Sequence, residues 1–494
     1  MASTAKDKEK SSLCFFSSSS ISSFYREIKP SSLLPRIRFV VFILLCYVLW
    51  LRLLFFSFPL DSSSPASYSA AAGHRHRHQQ LSRSPETCDP DIAPFYIHTI
   101  HPRFNAALVR RCLSRLACCD VCPHVGHLGL GRPLLRLPDA ADAADAVPGT
   151  AWYATHPSTA EMLFHARVQR HPCRTMVPEA AVLFYVPFYA GLHAAANFRQ
   201  ANHTRRDALA VDLATHLSSL PSFRRRAGRD HFLAVGRASW DFMRSPAGPD
   251  SGANRLLLLP EVANMTVLTV ERHPWEGHNQ FGIPYPTYFH PRTAADVAEW
   301  QAELRRLGRT HLFAFVGGVG SDSENADTRS SILNQCRMSD RCLAVECKPD
   351  RHKCDDPDLI MDVMRRADFC LQPPGESFTR RSTFDSVLAG CIPVFFSEHT
   401  AHTQYRWYLP SRPGDWSVML EPSQRNQIEE ELARIPRAEV GRMREVVIGL
   451  IPRMTYAHPD ANWSQLGFRD AVDVALVELT RRVRSIRNIE TNDR

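Results

Sequence analysis

The sequence predicts an α/β chain of two domains, each built on a parallel sheet, behind one membrane-spanning helix. Three observations carry this. Short apolar runs of strand type alternate with helical patterns along most of the 494 residues. A proline cluster, Gly282-Ile-Pro-Tyr-Pro-Thr-Tyr-Phe-His-Pro291, interrupts that alternation. The stretch from Phe369 to Phe396 then reads as strand, glycine turn, amphipathic helix and strand.

Taken in order, residues 1–38 carry Lys6, Lys8, Lys10, Arg26, Lys29, Arg36 and Arg38, which the positive-inside rule places in the cytosol. Residues 39–60 are apolar apart from Arg52, a few serines and one proline, and their 22 positions match the ~20 residues of a spanning helix. A cleaved signal peptide is the alternative, but the apolar run is long and no small-residue cleavage site follows closely. Residues 61–90 are rich in Ser, Pro, Ala and His and read as a flexible lumenal stem, whose His-Arg alternation is solvated. Twelve cysteines follow the span, an even number that suits disulfides in an oxidising compartment. Cys118, Cys119 and Cys122, with His124 and His127, fit either a zinc site or, preferably, a disulfide-tied loop. Three glycosylation sequons, at Asn202, Asn264 and Asn462, agree with a lumenal address. The net charge of +8 is spread along the chain, so it is not a nucleic-acid-binding arm.

Residues 91–290 form the first expected domain. Its strands begin at Phe95, Ala181, Asp230 and Met265, with a helix from Arg206 to Leu217. The proline cluster is the expected linker into a second domain, residues 291–455. That domain has a helix from Ala294 to Leu307 and strands at His311, Cys342 to Cys347, Asp368 to Gln372 and Ile392 to Phe396. Helices near 426–450 and 466–485 close the pattern, with residues 456–494 as a C-terminal helix and tail. Two such Rossmann-like domains facing across a cleft make the GT-B arrangement.

The chemistry concentrates in the second domain. A strand ending at Gly317 and Gly318 lets a ligand approach the backbone, and Arg329 in the next helix suits a phosphate. The turn before the next helix holds Gly375, Glu376, Ser377, Thr379, Arg380 and Arg381. A helix start offers free N–H groups to a phosphate, while Glu376 is placed to accept sugar hydroxyls. One of Arg380 and Arg381 is expected to face the cleft, the other to pair with Asp385 or solvent. The alternative is an exposed charged helix face. Asp89-Pro-Asp91 and Asp356-Pro-Asp358 are the only lumenal Asp-x-Asp matches; the second reads as a helix cap, so no metal is expected and arginines must neutralise the phosphates. A general base should come from the first domain, with Asp230, His231, Asp241, Glu271, His193 and His278 as candidates and Asp241 and His231 preferred. Tyr185, Phe188, Tyr189, Trp240 and Trp275 are candidates for sugar stacking, half of them expected in the core.

These segments resemble the exostosin-like glycosyltransferases of plants (GT47), in particular the xyloglucan galactosyltransferase branch. The resemblance rests on Phe184-Tyr-Val-Pro-Phe-Tyr-Ala-Gly-Leu, Gly228-Arg-Asp-His-Phe, Trp240-Asp-Phe, Met265-Thr-Val-Leu, the 281–291 proline segment, the Gly317 turn with Arg329, and Cys370 through Phe396. It spans about residues 90–480, and the Cys370–Phe396 block is its most specific part. The resemblance implies a Golgi type II enzyme of GT-B fold. It implies inverting transfer of galactose from UDP-galactose to the 2-hydroxyl of xylose side chains on xyloglucan, without a cofactor, and complexes with other wall-synthesis transferases. It places donor contacts at Arg329, Gly375-Glu376, Arg381 and Asp385. The Cys112–His127 region and the Ala/Asp run at 139–147 depart from the pattern by their length, which bears on acceptor choice. Transfer of galacturonic acid, arabinose or xylose, or a non-catalytic polysaccharide-binding scaffold, are the competing readings.

Overall fold

The computed structural model describes residues 88–492 apart from 115–119, 135–149, 199, 246, 249, 319–325 and 348–351. The expected cytosolic tail, membrane span and nearly all of the stem lie outside the described residues. Among the described residues no helix is long and apolar enough to cross a membrane.

Two parallel sheets organise the chain. The first contains β1 (Phe95–Ile97), β2 (Arg174–Thr175), β3 (Leu183–Tyr185), β4 (His231–Val235), β5 (Thr266–Thr269) and β6 (Gln280–Gly282), in the order β2-β1-β3-β4-β5-β6. Every pair is parallel, with Phe232 opposite Thr266 and Val267 opposite Gln280. β4 is buried at each position, as a strand covered by helices on both faces must be. The helices used below are α1 (Ala106–Ser114), α2 (Ala160–Gln169), α3 (Ala190–Asn197) and α4 (His203–Ser219).

The second sheet contains β7 (His311–Gly317), β8 (Cys342–Glu346), β9 (Ala367–Gln372), β10 (Ile392–Phe395) and β11 (Val418–Met419), ordered β11-β10-β9-β7-β8. Its pairs are also all parallel. Its helices include α5 (Ala294–Arg306), α6 (Ala326–Met338), α7 (Pro357–Arg365), α8 (Arg381–Leu388) and α9 (Arg437–Met454). The connection from β7 leads to one neighbour, β8, and the chain then returns to pair β9 on the other side of β7. Such a reversal opens a crevice beyond the carboxyl ends of β7 and β9, the usual ligand site of an open parallel sheet.

The proline segment is not a surface linker. Ile283, Thr287, Tyr288, Phe289 and His290 are buried, and Tyr153 N–H donates to the Tyr288 carbonyl at 2.9 Å. Fixed proline torsions hold it extended, Phe289 forms an antiparallel bridge with Trp152, and the segment passes between the two halves as packing material. Thr293 and Asp296 then form a capping box that starts α5. The expected helix near 426–450 is two helices broken at Pro436, Ile428–Ala433 and α9.

The final helix, α10 (Ala471–Asn492), returns to the first half. Ala93 N–H donates to Thr480 Oγ1 at 3.0 Å, and the Arg487 guanidinium donates to the Val182 carbonyl at 3.0 Å. Just before it, Arg167 of α2 meets Asp470 at 2.7 Å with both side chains fully buried, and Arg167 lies over the Trp463 ring. Asp89 and Asp91 both pair with Arg469, so the first Asp-x-Asp match fastens the segment before β1 to the start of α10. Asp356 accepts from the Asp358 and Leu359 N–H groups and caps α7.

Disulfides join Cys88–Cys173, Cys112–Cys122, Cys336–Cys342, Cys347–Cys354 and Cys370–Cys391. Cys122 is bonded to Cys112, which removes the thiolate that the zinc reading required; Cys118 and Cys119 lie outside the described residues.

Removing one partner of a buried ion pair strands the other charge. Asp470→Ala should lower the unfolding free energy by about 3–5 kcal/mol, read by urea denaturation of the full chain.

Candidate active site

A cavity of about 520 Å³ opens beyond the carboxyl ends of β7 and β9, at the crevice that the sheet order creates. Its volume lies within the ~300–1,000 Å³ typical of small-molecule sites. The second half contributes Gly317, Gly318, Arg329, Arg380, Arg381, Ser382 and Asp385 to its wall, together with the Cys347–Cys354 disulfide. The first half contributes Asp120, His124, the 154–157 segment and Tyr288.

Arg381 occupies the first position of α8 and ties the two halves together. Its Nε pairs with Asp385 one turn on, at 3.2 Å, and its Nη1 donates to the Thr155 carbonyl of the other half. The guanidinium carbon stands 3.6 Å from the centre of the Tyr288 ring. Nη2 is buried and has no hydrogen-bond partner. A guanidinium that lines a cavity is suited to an anion. Burial pushes the Asp385 carboxyl up to about 6, against the pull of Arg381.

Arg380 lines the same cavity, so the two arginines do not divide as expected. It sits at the N-cap of α8, where no side chain caps the helix, and folds back onto Ser377 Oγ and, at 2.8 Å, the Thr379 carbonyl. The helix start is therefore open toward the cavity. Arg329 donates to the carbonyls of Gly318 (2.7 Å) and Pro374 (2.9 Å), joining the loops after β7 and β9. Burial, and then the nearby Arg380, lower its pKa to about 10, which leaves it cationic. A Cβ at Gly375 would meet the Arg380 guanidinium and press on that of Arg329, so a side chain there would displace the ends of both arginines. Glu376 is exposed on the turn, outside the cavity wall.

Glu271, one of six acids and histidines considered as a base, follows β5 and crosses to the second half. It accepts the Thr379 N–H at 3.1 Å. Burial pushes its carboxyl up to about 7, opposed by the Ser377 hydroxyl, the Thr379 N–H and Arg380. Gln404 exchanges hydrogen bonds with the Arg272 backbone, and Tyr405 Oη donates to the Val270 carbonyl at 2.6 Å. The turn carrying Ser377 and Arg380 is thus gripped from the first half.

The preferred bases are not in the cavity. His231 begins β4, at the strand's amino end, opposite the edge where ligands bind. It is buried between His98 and Phe184, with Nδ1 2.8 Å from Asp230 Oδ1. Asp241 lies in a short 3-10 turn and pairs with Arg237 at 2.6 Å, outside the cavity wall. Among the aromatics, Tyr185 is fully buried against Phe164 and Phe232 and cannot stack on a sugar. Tyr189 is half-buried with Oη 2.8 Å from His165 Nδ1, and Trp240 is half-buried. Trp275 is 70% exposed and stands edge-on to Phe378 of the donor turn and to His399. Asn202, Asn264 and Asn462 are all exposed; Asn202 and Asn462 also cap helices through Oδ1.

Asp120, Thr155, His156 and Tyr288 carried no site signal in the sequence, and His124 stood out there only beside Cys122 as a possible zinc ligand. Thr155 acts through its carbonyl, which no side-chain pattern announces, whereas the histidines flanking Cys122 and Pro157 were visible as isolated polar residues.

A carboxyl raised from 4.5 to about 7 on folding holds its proton longer in the native state. Its contribution to stability therefore falls as pH rises across that window. Glu271→Gln cannot titrate, so wild-type stability relative to this variant should fall between about pH 5 and about pH 7.5, measured by urea unfolding at each pH.

The exostosin GT47 domain matches residues 93–435. The probable xyloglucan galactosyltransferase GT17 of Arabidopsis thaliana is 48% identical over 400 residues, covering 81% of this chain and 85% of that protein. The Arabidopsis thaliana xyloglucan galactosyltransferase MUR3 is 39% identical over 396 residues, covering 79% and 62%. XLT2 of the same plant, also a xyloglucan galactosyltransferase, is 36% identical over 408 residues, covering 80% and 76%. A solved Arabidopsis thaliana structure, UGT89C1 complexed with quercetin, aligns with a TM-score of 0.30 at 9% identity over 78% of this chain and 98% of that one, too loose to carry an argument. The chain belongs to the exostosin GT47 family.

Proposed function

We propose that this protein is an inverting galactosyltransferase of GT-B type that moves galactose from UDP-galactose onto xylose side chains of xyloglucan. The names of relatives at 36–48% identity support the reaction and the acceptor. The observation that carries the donor site is Arg381, which lines the cavity beside the start of α8.

In this reading the diphosphate lies against Arg381 and the amino end of α8. Charge grows on the leaving phosphate as its bond to the anomeric carbon breaks, and preset guanidinium and N–H donors stabilise that charge. Arg329 and Glu271 position the loops that shape the site. The Tyr288 ring beneath Arg381 keeps the guanidinium flat in the wall. Trp275, exposed beside the donor turn, offers a stacking face to the glucan. The polysaccharide and the sugar nucleotide are the partners, and the positive charge for the phosphates comes from arginine with no cofactor. The disulfides and exposed sequons support residence in the Golgi lumen, with residues 39–60 as a type II anchor.

The test is UDP release by the purified full chain with a panel of UDP-sugars and xylosylated glucan oligosaccharides, with the product mapped by mass. UDP-galactose should support turnover and add one hexose to a xylose. Arg381→Ala should cut kcat/KM at least about 100-fold. Turnover with another donor alone, or an unaffected Arg381→Ala, contradicts the reading.

A further inference from the structure

His124 and His156 share the cavity, with ring centres 5.3 Å apart, and their hydrogen bonds set opposite tautomers. His124 Nδ1 is 2.8 Å from the Ala154 carbonyl. A carbonyl only accepts, so Nδ1 carries the proton and Nε2 of the neutral ring holds a free lone pair. His156 is the reverse. Its Nδ1 accepts the Ser158 N–H at 3.1 Å, so its Nε2 carries the proton, 3.9 Å from Asp120. The cavity therefore presents one basic nitrogen and one N–H donor from the half opposite the arginines.

His124 is also firmly held. It ends the short turn Cys122–His124, which the Cys112–Cys122 disulfide fastens to α1. Val121, Cys122 and Val125 are buried around it against Leu108, Met162 and Leu192. The Ala154 carbonyl that orients the ring packs directly on Gly131, where φ is +82° and a Cβ would strike that oxygen.

We propose that His124 is the general base that takes the proton from the acceptor hydroxyl, with His156 as a positioning residue. This rests on the transferase reading above. The acceptor oxygen bonds to the anomeric carbon while the bond from that carbon to the phosphate oxygen breaks and its electron pair leaves on UDP. The acceptor proton passes to His124 Nε2, and the imidazolium then returns it to water. A base on the face opposite the leaving group is what inversion requires. Of the other acids in the cavity wall, Asp120 has an 81% exposed side chain, and Asp355 and Asp385 stand on the phosphate side. Burial lowers the His156 pKa to about 4, which keeps that ring neutral and its Nε2–H a donor. The charged and titratable groups sharing the cavity with His124 are His156, Asp120 and Tyr288 from its own half and Arg329, Arg380, Arg381, Asp355 and Asp385 from the other.

The experiment compares the full chain with His124→Asn, whose amide can still donate to the Ala154 carbonyl, and with His124→Ala. Both should lose at least about 100-fold in kcat while binding UDP within about threefold of wild type by calorimetry. The acid limb of the kcat profile should vanish in both, and added imidazole should restore part of the activity of His124→Ala. His156→Gln should keep the acid limb. Unchanged kcat in His124→Asn, a retained acid limb, or loss of UDP binding in both His124 variants overturns the base assignment. Failure of the wild-type chain to bind UDP overturns the transferase reading beneath it instead.

Discussion

The architecture depends on one guanidinium. Arg381 opens the helix after β9, yet one of its donors goes to the Thr155 carbonyl in the other half and its plane rests on Tyr288. A largely buried arginine needs a countercharge. Asp385 supplies the countercharge, and Thr155 takes one donor. Those requirements place the helix start, the proline segment and the 154–157 segment around the same cavity. The position of Arg381 thus couples the packing of the two halves to the shape of the site.

The surrounding contacts keep that arrangement rigid. Glu271 reaches from the first half to the backbone of the donor turn, and Arg329 links the turn to the end of β7. His290 bridges Thr155 and the Tyr456 carbonyl within the buried proline segment. The returning α10 closes the structure with a buried ion pair between Arg167 and Asp470. A site built between two sheets gains precision from such cross-links, because a small displacement of a phosphate-binding donor is costly to catalysis.

Much of the fold was legible in the sequence, for local reasons. Buried parallel strands are continuous apolar runs, so β3, β4, β5, β7, β9 and β10 stood out, as did the glycine turn before α8. The strands β2, β6 and β11 are two or three residues long and leave no periodic signal. Arg381 and Asp385 were readable because an i,i+4 pair is a local pattern. The acceptor side was not. His231 stands at a strand start, but parallel sheets bind ligands at the other end, and Asp241 was already engaged by Arg237. Tyr185 looked like a stacking residue and is core. His124 was overlooked as a base because its role comes from which nitrogen meets the Ala154 carbonyl, a contact 30 residues away in sequence.

The most direct measurement is a crystal structure of the protein grown with UDP. The account predicts the diphosphate within hydrogen-bond distance of the Arg381 guanidinium, at the amino end of α8, with His124 facing it across the cavity. A nucleotide bound elsewhere, out of reach of Arg381, would contradict it.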